Sequence, residues 1–67
     1  MARLPQGERS SRLRRLLRLL QRHPWGLREH EIAAEMGWHR RTANNYLREL
    51  ARQGKAAKEG RLWFWKR

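Results

Sequence analysis

The apolar positions fall into three blocks with helical spacing and a fourth that alternates. In "RSSRLRRLLRLLQRHP", Leu13, Leu16, Leu17 and Leu20 recur at i, i+3, i+4 and i+7. That is a stripe about 100° wide at 3.6 residues per turn. Ser10 or Ser11 can cap its start, and Pro24 disfavours helical geometry at His23, so the pattern predicts a first helix over about 10–22. Leu19 falls outside the stripe. "PWGL" at 24–27 reads as a turn or a short extended piece.

"REHEIAAEMG" predicts a second helix over about 29–36, with Ile32, Ala33 and Met36 as its narrow buried stripe. Leu27 and Ile32 are spaced for a hydrophobic staple around an N-cap at Arg28, with Glu31 at N3. Arg28 is a poor cap, so only half of a capping box is expected. Glu29 and Glu31 favour a helix start through the macrodipole, and Gly37 suits the left-handed position that ends a helix. A third helix is expected over about 40–53, ended by Gly54, with Ala43, Tyr46, Leu47 and Leu50 on its inner side. The period then changes to two. "KAAK", the turn "EG" and "RLWFWKR" read as a hairpin over about 55–66. A two-residue Glu59-Gly60 loop would set Lys58 opposite Arg61, Ala57 opposite Leu62 and Ala56 opposite Trp63. Trp63 and Trp65 are expected to face the core, with Leu62 and Phe64 partly exposed. The opposite assignment fits almost as well, because Glu-Gly is a weaker register signal than Asn-Gly.

Sixty-seven residues suffice for one domain with one small core, and leave no room for an enclosed small-molecule pocket. The expected organisation is a flexible arm over 1–8 and a domain over 9–67, mainly α with a small β-hairpin. Seventeen Lys and Arg against six Asp and Glu give a formal charge of +11. Self-repulsion at that charge opposes folding, so the excess points to a polyanionic partner, either nucleic acid or an anionic membrane surface. Residues 1–22 carry seven Arg and one Glu; residues 23–37 carry Arg28 against three Glu; residues 38–67 carry nine cations against Glu49 and Glu59. An acidic middle between two basic ends suggests that folding gathers the ends into one surface.

Without Cys, disulfides and thiolate metal sites are excluded. No apolar run approaches the ~20 residues of a membrane span, and the N-terminus lacks the pattern of a secretory signal. "HEIAA" imitates the start of a zincin motif, but Ala34 stands where the second ligand belongs. The chain has no Asp, scattered His and no glycine-rich loop after a strand, so neither an enzyme nor a cofactor is expected.

From Arg9 to Lys66 the chain resembles a winged helix-turn-helix domain of the prokaryotic transcriptional-regulator type. The most specific stretch is "EIAAEMGWHRRTANNYLRELARQG". Ile32-Ala33 matches the family's helix 2 core position, Gly37 the turn glycine and Trp38 the apolar turn slot. Thr42-Ala43 matches the pair that opens the recognition helix; Leu47, Leu50 and Gly54 follow at the expected spacing, and "KAAKEGRLWFW" is the wing. The turn glycine lets two helices cross steeply, and the apolar residue after it fills the gap between them. His39 stands where the family usually places a Ser or Thr cap, and Arg28 where helix 2 usually has one; both weaken the helix starts and add possible phosphate contacts.

The resemblance implies double-stranded DNA as partner, with the third helix in the major groove. On a helical wheel Arg40, Asn44, Arg48, Arg41, Arg52 and Asn45 span an arc of about 140° that contains no acid. A solvated face usually mixes signs, whereas Arg and Asn forks suit guanine and adenine edges. Arg40, Arg41, Asn44, Asn45 and Arg48 are therefore the candidates for base contacts. Arg28, His39, Thr42, Arg52 and Lys55 are those for phosphate contacts. Lys58 and Arg61 flank the wing turn and serve either the duplex or simple protection of an edge strand. Arg14, Arg15, Arg18 and Arg22 could pair with Glu31 and Glu35 or add general attraction. Trp25, Trp38 and Trp63 are assigned to the core, while Trp65, Phe64 and Leu19 could form an exposed patch for a second copy or another domain.

A reader module of a cytoplasmic, nucleoid-associated regulator is the expectation, as a homodimer or with an additional domain. Two rivals remain: a winged-helix module that binds protein, and a cationic amphipathic peptide at a membrane surface, prompted by "RLRRLLRLLQRH".

Overall fold

The computed structural model describes residues 6–66 and orders them as α1 (Gln6–Arg22), β1 (Leu27–Arg28), α2 (Glu29–Met36), α3 (Arg40–Arg52), β2 (Ala56–Glu59) and β3 (Leu62–Trp65). The sheet has the order β1-β3-β2, both pairings antiparallel. Three helices with this small sheet make a winged helix-turn-helix.

α1 starts at Gln6, not near residue 10, and neither Ser10 nor Ser11 caps it. Glu8 supplies the acid of the first turn and pairs with Arg12 one turn on, at 3.0 Å. Of the arm expected over 1–8, residues 1–5 lie outside the described residues and 6–8 are helical. Leu16, Leu19 and Leu20 are buried, while Leu13 and Leu17 are only half-buried. Leu19 thus belongs to the core and not to a surface patch: α1 turns its stripe one position towards Leu19 to meet the other elements.

The core joins these leucines to Ile32, Ala33, Ala43, Leu47, Leu50, Ala56 and Trp63. Leu16, Leu20, Ile32, Leu47 and Leu50 are at most 1% exposed, and each such burial contributes about 1.5–3 kcal/mol. Met36, expected to be buried, is half-buried at the rim with Leu27 and Trp38. Trp25 is 81% exposed, contrary to its expected core role. The Gly26 N–H donates to the His23 carbonyl, closing a turn with Pro24 and Trp25 at its centre, and such connecting segments run over the surface.

β1 gives the extended piece at 27–28 a definite role. Leu27 lies opposite Trp63 and Arg28 opposite Leu62, so β1 joins the segment between α1 and α2 to the hairpin. In the hairpin, Ala56 faces Trp65, Ala57 faces Phe64, Lys58 faces Trp63 and Glu59 faces Leu62. The loop is therefore Gly60-Arg61, not Glu59-Gly60. Glycine takes the first central position at φ +61°, whereas a loop centred one residue earlier would put Glu59 there. The core face of β3 is carried by Trp63, while Trp65, on the same face but at the strand end, remains 38% exposed.

Candidate nucleic-acid interface

Two local devices set the orientation of α3. Gly37 ends α2 at φ +73°, and the Trp38 N–H donates to the Ala33 carbonyl at 2.9 Å, closing the turn. The Trp38 ring then packs on Tyr46 of α3, with centroids 4.9 Å apart. Ala43, Leu47 and Leu50 are buried on the inner side, which fixes the rotation of the helix. At the start of α2, Glu31 accepts a hydrogen bond from the Arg28 backbone N–H at 2.8 Å. The guanidinium has no acceptor to reciprocate, so the capping box stays half-formed.

The expected base-contact residues divide into two groups. Arg41, Asn45 and Arg48 are exposed and make no hydrogen bond or ion pair among the described residues. Arg40 and Asn44 both reach Glu29, the first residue of α2. The Arg40 guanidinium lies 3.4 Å from Glu29 Oε1, and the Asn44 amide donates to Oε2 at 2.5 Å. Asn44 is accordingly half-buried. Glu29 is the residue that sequence reasoning missed: its partners lie 11 and 15 positions downstream, so no local spacing announces it.

His39 takes the N-cap position of α3 with no side-chain capping bond, leaving the first N–H groups of that helix open. His39 is exposed and Thr42 half-buried beside that end. Arg28, Arg40, Lys58 and Arg61, drawn from three separate segments, line one concavity of about 340 Å³ with Glu29 and His30. The Lys58 ammonium lies 5.7 Å from the Trp63 ring centroid, in cation–π range. Arg52 and Lys55 stand apart from this cluster, at the far end of α3. Arg52 bonds to Glu49, which Gln53 and Arg9 also approach. Those partners hold the Glu49 carboxyl below the usual carboxylate range, the Arg52 hydrogen bond first. Of the two alternatives for Arg14, Arg15, Arg18 and Arg22, pairing is not seen: among the described residues they form no ion pair with Glu31 or Glu35 and project as an exposed row along α1.

Among the described residues, no group of His and Glu is placed to hold a metal ion, and no helix is long and apolar enough to cross a membrane. No curated protein and no solved structure matches the chain. The family model of the IclR helix-turn-helix domain matches residues 11–60, from the first turns of α1 to the hairpin loop. The match thus spans the turn at Gly37, α3 and the first strand of the wing. With that span and this geometry, the chain belongs to the IclR helix-turn-helix family, whose members are prokaryotic DNA-binding modules of transcriptional regulators.

Proposed function

We propose that the domain reads double-stranded DNA sequence-selectively by laying α3 in the major groove. The observation that carries this reading is that Arg41, Asn45 and Arg48 stand exposed on one arc of α3, with no hydrogen bond or ion pair among the described residues. Arginine forks fit guanine O6 and N7, and asparagine forks fit adenine N6 and N7. Asn44 and Arg40 reach the same surface under the constraint of Glu29. Phosphate contacts fall to Arg28, His39 and Thr42 around the open end of α3, where backbone N–H groups also suit an anion. Arg52 and Lys55 serve the other end, and Lys58 and Arg61 extend the contact along the wing.

Against the membrane rival, Leu16 and Leu20 of the apolar stripe of α1 lie in the core with Leu19, and Leu13 and Leu17 pack partly buried against it. The reading makes the chain the reader module of a cytoplasmic, nucleoid-associated transcriptional regulator without catalytic activity, acting beside a second copy or a further domain. Selection of bound oligonucleotides from a random duplex pool tests it. Enrichment of a short motif is expected; binding that leaves the pool unenriched would overturn groove reading, and indifference to DNA would favour the protein-binding rival.

A further inference from the structure

We propose that Glu29 is a positioning residue that sets base selectivity by fixing which end of the Asn44 carboxamide faces the duplex. The inference rests on the groove-reading assignment above. A carboxylate only accepts hydrogen bonds, so the Asn44 group turned towards Glu29 Oε2, 2.5 Å away, is the amino group. Its Oδ1 therefore points away from Glu29 and accepts no hydrogen bond among the described residues. A free asparagine exchanges its two ends by a half-turn and presents donor or acceptor alike. Here the half-turn would set two oxygens against each other.

The carboxylate is itself restrained. Glu29 opens α2, where the helix dipole favours its charge. Its other oxygen faces Arg40 at 3.4 Å, which offsets a negative charge beside a polyanion. Glu29 and Asn44 are only 22% exposed and half-buried, respectively, so the bond is partly sheltered from water.

A fixed acceptor at Asn44 selects base pairs that present an exocyclic amine there, adenine N6 or cytosine N4. It disfavours the oxygens of guanine O6 and thymine O4. Glu29→Gln removes the compulsion, because a glutamine amide can satisfy either end of Asn44. The same change deletes a negative charge and releases Arg40. Two effects in opposite directions follow. Discrimination at one base position falls, by about fivefold, while affinity for arbitrary duplex rises, by about threefold.

The test measures competition binding of the wild type, Glu29→Gln, Asn44→Ala and the double variant against the selected site and its single-base changes, with folding checked by circular dichroism. Weaker discrimination with tighter general binding in Glu29→Gln, loss at the same base position in Asn44→Ala, and no further loss in the double variant support the proposal. Unchanged discrimination in Glu29→Gln overturns it, as does joint loss of affinity and discrimination, which would indicate a merely structural role. If Glu29→Gln fails to fold, Asn44→Ala decides: retained discrimination at every position overturns the proposal, and loss at an amine-bearing position supports it. A wild type that prefers no sequence sinks groove reading itself, a result distinct from a selective wild type that Glu29→Gln leaves unaltered.

Discussion

The Phe64 ring lies on the backbone of Gly26, so closely that a Cβ on residue 26 would meet ring atoms at 2.8 Å and the Leu62 Cβ at 3.1 Å. Gly26 also takes φ +92°, a conformation that a side chain strains. This is the point where the turn after α1 passes the outer face of the sheet.

Gly26→Ala is expected to destabilise the domain by about 1–3 kcal/mol from the backbone alone, with further loss from displacing Phe64. Gly37→Ala is the comparison, since its φ is also positive but nothing lies within 4 Å of its added Cβ. Thermal unfolding should show the larger drop for Gly26→Ala. Equal drops would mean that the Phe64 contact contributes nothing.

The tryptophans should divide sharply. Trp25→Ala, at an 81% exposed site, should change stability by no more than about 0.5 kcal/mol. Trp63→Ala, at a 4% exposed site, should cost about 3–5 kcal/mol and leave little folded protein. The Trp63 indole N–H is buried without an acceptor among the described residues, so Trp63→Phe should be much milder than Trp63→Ala. Denaturant titration of the three variants orders them.

Acid should weaken the domain partly through Glu49. Its carboxyl is held below the ordinary range in the fold, chiefly by the hydrogen bond from Arg52. Between the folded and unfolded pKa values the unfolded chain binds more protons, so stability rises with pH there. The contribution is complete above the unfolded value and is lost as pH falls through the folded one. Glu49→Gln should flatten the Tm-against-pH curve below about pH 4.5; an unchanged slope would assign the acid response elsewhere.

Binding should separate two kinds of residue. Arg41→Ala or Arg48→Ala should reduce preference between sequences, each by about 1–3 kcal/mol. Lys58→Ala should weaken all duplexes alike and lessen the salt dependence by about one unit of slope. With ~5 phosphate contacts, log K against log[salt] should slope near −4.5 in the wild type. A slope shallower than about −2 would count against the electrostatic account.

The residues that were legible in the sequence are those governed by local rules. Gly37, Gly54 and the inner stripe of α3 sit where glycine conformation and helical period put them. What escaped depended on contacts between distant segments or on which of two near-equal local options won. Leu19 against Leu17 is a rotation of α1 by part of a turn, decided by what packs against it. Trp25 is apolar enough for any core, but it sits in a surface turn and is exposed. The hairpin slipped because Gly60 takes the first loop position, which moved every cross-strand partner and placed Ala56 beside Trp65. Among the candidate contacts, the exposed arc of α3 followed from its period. The Glu29 bracket did not, since it joins the start of α2 to α3 across the turn.

The short strand β1 has a mechanical consequence. Because Leu27-Arg28 pairs with the middle strand of the sheet, the hairpin is tied to the segment that leads into α2 and is not a free flap. Arg28 of β1 and Arg61 of the hairpin loop thus belong to one sheet unit and line one concavity with Arg40. If the duplex is taken on that face, as proposed, a grip braced in this way should give up little conformational freedom on docking and resist a backbone whose groove width does not fit it.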